Sequence, residues 1–309
     1  MTSRLAGRPV RRTVATRNDL DKLNVLNQLH GTVLPDEQPA PMGPLTRQAH
    51  PWGAPLSRQQ PNNPSAAAVQ KLRLRYTKRG RLRFTSHRDI ARTFERALRR
   101  AGVPMAYSQG FSPHPKVSWV GAAPTGVASE AEYVEVSVVE QVDPVALKLA
   151  LDDALPPGID VVDIVQARGG NLTERIDASE WRIELDGVEP AELAKAVELL
   201  LSAERVEVER LTKNGVKTVD VRPAVVSAQV EPRSSDAGHD GAALSQPCGI
   251  LMTVVRQVTP TVRPDDVLNA LRVVADLVPP VPARATRMAQ GRLDGEGWLV
   301  DPLQQDRES

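Results

Sequence analysis

Five arginines recur at helical spacing in the most basic part of this sequence, and arginines so placed can hold phosphates or carboxylates. Residues 71–116 contain thirteen Lys or Arg and only two acids, although the whole chain has a formal net charge of +1. Positive charge concentrated in this way is typical of a surface that meets a polyanion. A solvated basic face without a ligand is the other interpretation. The predicted anion-binding residues are Arg88, Arg92, Arg96, Arg99, Arg100 and Lys116.

Two histidines lie close to these arginines in the sequence, and histidine exchanges protons most readily near neutral pH. His87 follows Ser86, and His114 lies between two prolines that hold the backbone extended. One hypothesis is therefore an enzyme acting on a small anionic substrate, with His87 and His114 as acid and base. The other role for each histidine is structural. The loop residues expected to contact a ligand are Gln109, Gly110, Phe111 and His114.

The acidic residues that follow this loop are Glu130, Glu132 and Glu135. Paired carboxylates can perform acid–base catalysis, but strand positions at this spacing point to both faces. We therefore expect Glu132 and Glu135 to offset the charge of the basic helix. Cys248 is the single cysteine, so neither an internal disulfide nor an iron–sulfur cluster is expected. No Cys/His group has zinc spacing, and we expect neither a metal nor a cofactor.

The sequence also predicts where the protein is located and how its two terminal segments behave. No apolar run approaches the about 20 residues of a membrane span, and the N-terminus lacks the apolar segment of a signal peptide. A cytoplasmic protein without a membrane partner is expected. Residues 1–69 contain nine prolines and no sustained periodicity, which predicts a disordered tail. Residues 290–309 are expected to form a loose C-terminal tail.

The arginines are positioned by the elements predicted around them. Residues 72–76 alternate as a strand, and 82–84 are expected to form a short return strand. Ser86 and Asp89 form a capping-box pattern before a helix over 87–101, and Gly102 ends that helix. Strands at 116–120 and 132–139, a helix starting at Asp143-Pro144 and a strand at 159–165 follow. This order is βαββαβ.

The second half is predicted to repeat that order. Its elements are a strand at 181–185, a helix at 189–201, a hairpin of 206–211 with 216–221, a strand at 249–255, a helix at 263–275 and a strand at 281–288. Residues 228–247 are expected to be a disordered insertion. The predicted fold class is α+β, with two tandem ferredoxin-like βαββαβ units at 70–168 and 179–289.

Four motifs in the basic region resemble a known family. They read G-x-L-R-F-T-S-H-R-D, F-E-R-A-L-R-R-A-G, Y-S-Q-G-F-S-P-H-P-K and P-T-G-V-A-S-E-A-E-Y-V-E-V. The chain is similar here to the radical-SAM-linked family, also known as DUF2344. The similarity is specific over 72–138 and looser to about residue 289. Members occur fused to, or encoded beside, radical-SAM proteins, so the resemblance implies a radical-SAM partner. The family has no established activity.

Three functions remain open from the sequence. The first is a non-catalytic accessory protein that binds RNA or an acidic substrate and works with the radical-SAM partner. Bases would stack on Phe111 or Trp119 while arginines hold phosphates, although core packing is the expected role of Trp119. The second is the enzyme with His87 and His114. The third is a structural protein–protein interaction module. A long exposed groove favours RNA, whereas a closed pocket in which both histidines converge favours the enzyme.

Overall fold

The strand Gln70–Lys78, named β1, carries the alternating apolar residues around which the first half is built. The computed structural model describes residues 66–212, 215–231 and 247–308. Leu72, Leu74 and Tyr76 of β1 are buried together on one face of the sheet, as their alternation predicts. The other elements of this half are α1 (His87–Arg100), β2 (Val117–Val120), β3 (Ala128–Val138), α2 (Pro144–Ala154) and β4 (Val161–Gln166).

The second half contains more strands than the sequence predicted. Its elements are β5 (Ala178–Asp186), α3 (Pro190–Ser202), β6 (Glu207–Thr212), β7 (Gly215–Asp220), β8 (Val225–Glu231), β9 (Cys248–Arg256), α4 (Pro264–Ala275), β10 (Arg284–Leu293), β11 (Leu299–Val300) and α5 (Gln304–Arg307). The hairpin of β6 and β7 forms as predicted and stands apart as a separate two-stranded sheet.

The described strands of both halves join one nine-stranded, mostly antiparallel sheet. Its order is β4-β1-β3-β10-β5-β9-β8, with β2 paired to β3 and β11 paired to β10. The two halves meet where β3 and β10 run parallel, at Ala128 with Thr286 and Ser129 with Arg287. Helices α1 and α2 cover the core of the first half, and α3 and α4 cover that of the second. The predicted α+β class is confirmed.

Helix α1 forms where the sequence predicts it, because its signals are local. The Ser86 Oγ atom accepts a hydrogen bond from the Asp89 backbone N–H at 3.3 Å and donates to the Asp89 carboxylate at 2.7 Å. Ile90, Phe94 and Leu98 are buried against the sheet, and each such side chain contributes about 1.5–3 kcal/mol on burial. Gly102 then adopts a φ of +66°, which ends the helix.

Three boundary predictions differ from the structure. Residues 82–84 belong to a 3-10 turn over Gly80–Phe84 and not to a return strand. Within 228–247, predicted to be disordered, residues 228–231 complete β8, which pairs antiparallel with β9. Its alternation is short and runs into Ser/Asp/Gly-rich sequence, which hid the strand. The rest of that insertion, residues 232–246, and the tail predicted at 1–69 up to residue 65 lie outside the described residues.

The third difference concerns residues 290–309, which were expected to be loose. Residues 290–293 complete β10, and β11 and α5 follow. Leu303 is buried in a small apolar cluster with Tyr133 and Leu172 on the sheet face away from the helices. The Asp306 carboxylate lies fully buried against Arg73 of β1, with oxygen–nitrogen distances of 2.8 and 3.1 Å. The acidic composition of this segment suggested solvent, but its charges are used in buried ion pairs.

Candidate anion-binding face

Helix α1 presents five exposed arginines on the side opposite its buried residues. We call this set the α1 face, and all of its members are exposed. Only Arg92 has a carboxylate within ion-pair distance among the described residues, the Asp89 Oδ1 atom at 3.7 Å. Arg96 donates to the Thr93 hydroxyl at 3.1 Å and Arg100 to the Ala154 carbonyl at 3.3 Å. The α1 face consists of Arg88, Arg92, Arg96, Arg99 and Arg100.

The carboxylates expected to offset this helix lie elsewhere, so that prediction is wrong. Glu135 pairs with Lys71 at 2.9 Å and with Arg73 at 3.0 Å. Glu132 is buried, pairs with Arg287 at 3.3 Å and accepts a hydrogen bond from the Ala123 backbone N–H at 2.9 Å. The charge of the α1 face is therefore left without those counter-charges.

The loop predicted to contact a ligand is a narrow, closed structure. Tyr107 and Pro115 form an isolated bridge, and the Ser108 backbone N–H donates to the His114 carbonyl at 2.8 Å. The Ser108 hydroxyl accepts from the His114 N–H at 3.0 Å. Lys116, whose side chain is exposed, closes the base through its N–H and the Ala106 carbonyl at 2.8 Å. The residues exposed beside the half-buried Gly110 are Gln109, Phe111 and His114.

Exposed aromatic rings lie at both ends of α1. Phe111 is 67% exposed, and the base of its loop is bonded to Ser137, which pairs with Lys71 at the start of β1. Phe84 is 60% exposed in the 3-10 turn that follows the end of β1, and the Arg83 guanidinium covers its ring at 4.6 Å. The prediction that Phe84 lies on a strand missed this exposure. An exposed aromatic ring therefore lies in the segment before α1 and another in the loop that follows it.

His87 and His114 do not converge. The His87 ring packs against Trp119 in a T-shaped arrangement with a centroid distance of 5.3 Å, and Trp119 also packs against Phe94. Trp119 therefore has the core-packing role that was expected. His114 belongs to the loop bonded at the opposite end of β1, and no hydrogen bond or ring contact joins the two histidines within the described ranges. Neither histidine lines the cavity where the two halves of the sheet join, the cavity near Gly169 or the cavity near Trp298.

On the opposite face of the first sheet, charged side chains are buried and paired with one another. Arg73, which alternates with the apolar residues of β1, is buried and bonds Glu135, Asp306 and the carbonyls of Gly169 and Gly170. Burial by itself would raise the pKa of the Asp306 carboxyl. Hydrogen bonds from Arg73, the Arg168 N–H and Arg175 outweigh that effect and hold the pKa below its usual value. This set is a structural network and not a second binding face.

A second buried charged group lies where the two halves join. Burial lowers the pKa of Lys78, whose ammonium donates to the Ala123 and Pro124 carbonyls at 3.4 and 3.1 Å. Burial also lowers the pKa of Arg287, and Glu132 opposes that shift. Lys78 and Arg287 were not among the residues predicted from the sequence, because their only signal is a basic residue inside an otherwise ordinary strand.

Residues 66–212, 215–231 and 247–308 contain no group of three or more His, Cys, Asp or Glu side chains arranged to hold a metal ion. Across the same residues, none of the helices combines the length and the apolar character that crossing a bilayer requires.

Comparison with known proteins identifies a family and weak similarities to solved structures. No curated protein matches the chain. The first two RRM domains of yeast poly(U)-binding protein Pub1 align at 12% identity over 71% of this chain and 98% of that chain, with a TM-score of 0.17. The encapsulated DyP-type peroxidase from Mycobacterium smegmatis aligns at 11% identity over 75% and 94%, with a TM-score of 0.19. Neither TM-score is high enough to argue a shared fold.

The family similarity rests on the region that carries the α1 face. A family profile described as an uncharacterized protein conserved in bacteria, DUF2344, matches residues 71–264. That range runs from β1 to the start of α4 and contains the basic helix, the loop and the sheet that positions them. The chain therefore belongs to the DUF2344 family of uncharacterized bacterial proteins.

Proposed function

We propose that this protein is a non-catalytic accessory protein whose α1 face binds single-stranded RNA. The proposal rests on the positive charge of the α1 arginines, most of which have no carboxylate nearby among the described residues. Five exposed arginines lie on one helix, and only Arg92 has a carboxylate nearby among the described residues. Like charges at this spacing destabilise an isolated helix, and a ligand that supplies negative charge would offset this repulsion.

The aromatic rings favour RNA over an acidic protein as that ligand. Phe84 and Phe111 are exposed at the two ends of α1. Proteins that bind single strands combine a basic track for phosphates with aromatic rings on which bases stack. Exposed phenylalanines would bring no comparable gain against a flexible acidic chain. The covered sheet face, where Arg73 and Leu303 are buried, directs the proposed interaction to the helix side.

The enzyme hypothesis has less support. It needs both histidines in one closed site, and His87 and His114 are attached at different ends of the first sheet. A substitution of His114 by Ala separates the two functions. Binding that falls only slightly supports the accessory role, whereas complete loss of function with intact RNA binding supports catalysis.

The repeated strand order supports the proposal that each half is a ferredoxin-like unit. In the first half the strands lie in the order β4-β1-β3-β2, and in the second half in the order β10-β5-β9-β8. With β6 and β7 treated as an inserted hairpin, both orders place the fourth, first, third and second strands side by side. Helices follow the first and third strands of each unit, as the βαββαβ plan requires.

The proposed partner is a radical-SAM protein in the cytoplasm. The resemblance of the family motifs supports this partner, and the single cysteine supports a reducing compartment. With one thiol, this chain would supply RNA binding and the partner would supply the iron–sulfur cluster. Pull-down from cells with and without RNase tests the arrangement, since a direct protein contact survives RNase treatment and an RNA bridge does not.

RNA binding is tested by fluorescence anisotropy of a labelled single strand over a salt series. The variant combines Arg92→Ala, Arg96→Ala and Arg100→Ala. Each lost phosphate contact lowers the slope of log affinity against log salt by roughly 0.7. We therefore expect weaker binding and a slope smaller by about 2. A triple variant of Lys195, Lys217 and Arg272, all exposed and away from α1, removes the same charge and serves as the matched control.

The outcomes separate RNA binding from the interaction-module hypothesis. A flatter salt dependence in the α1 variant alone supports RNA binding at this face. Equal loss in both triple variants indicates a general charge effect and contradicts the proposed site. Unchanged RNA binding with loss of the RNase-resistant partner indicates that the α1 face binds an acidic protein surface, as in the interaction-module hypothesis.

A further inference from the structure

A cavity of about 470 Å³ lies where the two halves of the sheet join. We call it the junction cavity. It is bounded by the segment after β2, the start of β5, the end of β9, the start of α4 and the middle of β10. Its volume falls within the range of small-molecule sites. None of the α1 face residues and neither histidine contributes to it.

The wall of the junction cavity is positively charged. Arg256, Arg263 and Arg287 line it, and no aspartate or glutamate does. Arg256 and Arg263 are exposed and have no carboxylate within ion-pair distance in the described residues. Behind the wall, Lys78 donates to the Pro124 carbonyl at 3.1 Å. Arg256 and Arg263 therefore line the cavity without a carboxylate of the described residues paired to either.

Arg287 is held rigidly at the base of this wall. It is only 5% exposed, and its guanidinium lies over the Trp181 ring at 4.9 Å. Its Nη1 atom donates to the Gly121 carbonyl, and its ion pair with Glu132 measures 3.3 Å. Gly121 has a φ of +57°, and an added Cβ would lie 2.7 Å from the Gln290 Oε1 atom. Only glycine permits this close approach of the chain to Arg287 and Gln290.

Two buried polar atoms in this wall have no hydrogen-bond partner. They are Arg287 Nε and Gln290 Oε1, the two such side-chain atoms identified across the described ranges. Buried polar groups are nearly always paired, and unpaired ones call for an explanation such as a functional role. Both side chains are more than nine-tenths buried and line the same cavity. Both unpaired atoms identified in the described residues therefore lie at one site.

We propose that the junction cavity binds a small organic phosphate monoester. Glu132 balances Arg287, so Arg256 and Arg263 leave an excess of at least two positive charges. A phosphate monoester carries close to two negative charges at pH 7, and guanidinium forks match its oxygens in bidentate geometry. Val255, Val262 and Pro264 supply apolar wall for the organic part. This site is separate from the proposed RNA face and does not depend on it.

The charge of the wall argues against a monocarboxylate. One carboxylate would neutralise a single guanidinium and leave the second exposed beside it, whereas a phosphate dianion can engage both. A polycarboxylate has the charge but needs several guanidinium forks spread apart. Citrate is therefore the discriminating competitor in the experiment.

Isothermal titration calorimetry on the full chain tests the proposal with ribose 5-phosphate, inorganic phosphate and citrate at constant ionic strength. We expect ribose 5-phosphate to bind more tightly than inorganic phosphate, and citrate more weakly than both. Arg256→Gln and Arg263→Gln should each weaken ribose 5-phosphate binding about tenfold, since each removes a hydrogen bond between charged groups. Arg272→Gln, an exposed arginine further along α4, is the matched control and should bind as the wild type does.

Each outcome bears on the assignment. Loss of affinity in the Arg256 and Arg263 variants, with unchanged binding in the Arg272 variant, supports the phosphate site. No binding of either phosphate by folded wild-type protein, or equal affinity in all three variants, overturns it. Tighter binding of citrate than of ribose 5-phosphate replaces the phosphate assignment with a polycarboxylate. Both substituted residues are exposed, so folding is not at risk, and circular dichroism of each variant checks this.

Discussion

Arginine has opposite roles on the two sides of the first sheet. On the helix side, the α1 face holds exposed arginines of which only Arg92 approaches a carboxylate in the described residues. On the other side, Arg73 is fully buried and bonded to Glu135 and Asp306, and Arg175 bonds the same aspartate at 2.8 Å. We call this second set the Asp306 network. The two sets are separated by a single sheet.

The comparison shows that partners and burial, and not residue type, decide what an arginine does. A buried guanidinium without a carboxylate is very costly, so Arg73 and Asp306 depend on one another. An exposed guanidinium is hydrated, so leaving it unpaired costs little free energy and it can remain unpaired until a ligand binds. The Asp306 network should therefore respond to substitution through stability, and the α1 face through binding.

The largest expected effect is on the Asp306 network. Asp306→Asn leaves the charge of Arg73 buried without a full counter-charge. Breaking one partner of a buried pair costs about 3–5 kcal/mol, so the free energy of unfolding measured in urea should fall by that order. Asp153→Asn changes an exposed aspartate of α2 and should leave the unfolding midpoint unchanged. Equal midpoints for the wild type and the Asp306 variant would show that the two sides do not differ.

The second prediction concerns pH. The pKa of Asp306 is lower in the folded protein than its usual value, so the unfolded state binds the proton more readily. The stabilisation is therefore complete above the unfolded pKa of about 3.9 and is lost as the pH falls through the folded pKa. The difference in unfolding free energy between the wild type and Asp306→Asn should be constant near neutral pH and shrink below about pH 4. A difference that grows on acidification would contradict this assignment.

A smaller effect is expected at the edge of the Asp306 network. Arg307 is 40% exposed and pairs with Asp163 at 2.6 Å and Asp301 at 3.0 Å. Because exposed pairs contribute up to about 1 kcal/mol, Arg307→Ala should lower the melting temperature only slightly. High salt should reduce the difference between variant and wild type. A loss as large as that of Asp306→Asn would mean that burial is not the deciding factor.

The smallest stability effect is expected on the α1 face. The combined substitution of Arg92, Arg96 and Arg100 by Ala should leave the melting temperature close to that of the wild type, since exposed substitutions usually change stability by about 0.5 kcal/mol or less. Alanine also has the higher helix propensity. Differential scanning calorimetry provides the measurement. Unfolding of this variant would assign the α1 arginines a structural role and remove the contrast between the two sides.

Local signals made α1 and its surroundings predictable. The Ser86 cap, the apolar spacing and Gly102 lie within one segment, and the observed helix, His87–Arg100, ends one residue before the predicted end. Asp143 likewise caps α2, accepting from the Ala146 N–H at 3.0 Å. The exposure of the arginines follows from the same helical periodicity, so the candidate face could be derived from sequence.

Partners distant in sequence made the rest unpredictable. Arg73 alternates with apolar residues like a solvent-facing strand residue, and the aspartate that buries it lies 233 positions away. The junction cavity likewise depends on Arg287 meeting Gly121 across 166 positions. Phe84 alternates like a strand residue, but Gly80 takes a φ of +56° and a 3-10 turn replaces the strand. No pattern within one segment encodes any of these contacts.

The separation of Arg73 from Asp306 has a consequence for synthesis on the ribosome. At about 5–20 residues per second, the interval between translating these two residues is on the order of ten seconds or more. During that time β1 and α1 are already present as nascent chain, but the Asp306 carboxylate that pairs with the Arg73 guanidinium has not yet been synthesised. The first unit therefore lacks one of its buried ion pairs until residue 306 has been synthesised. Until then Glu135, which is translated only 62 positions after Arg73, is the carboxylate available to pair with it.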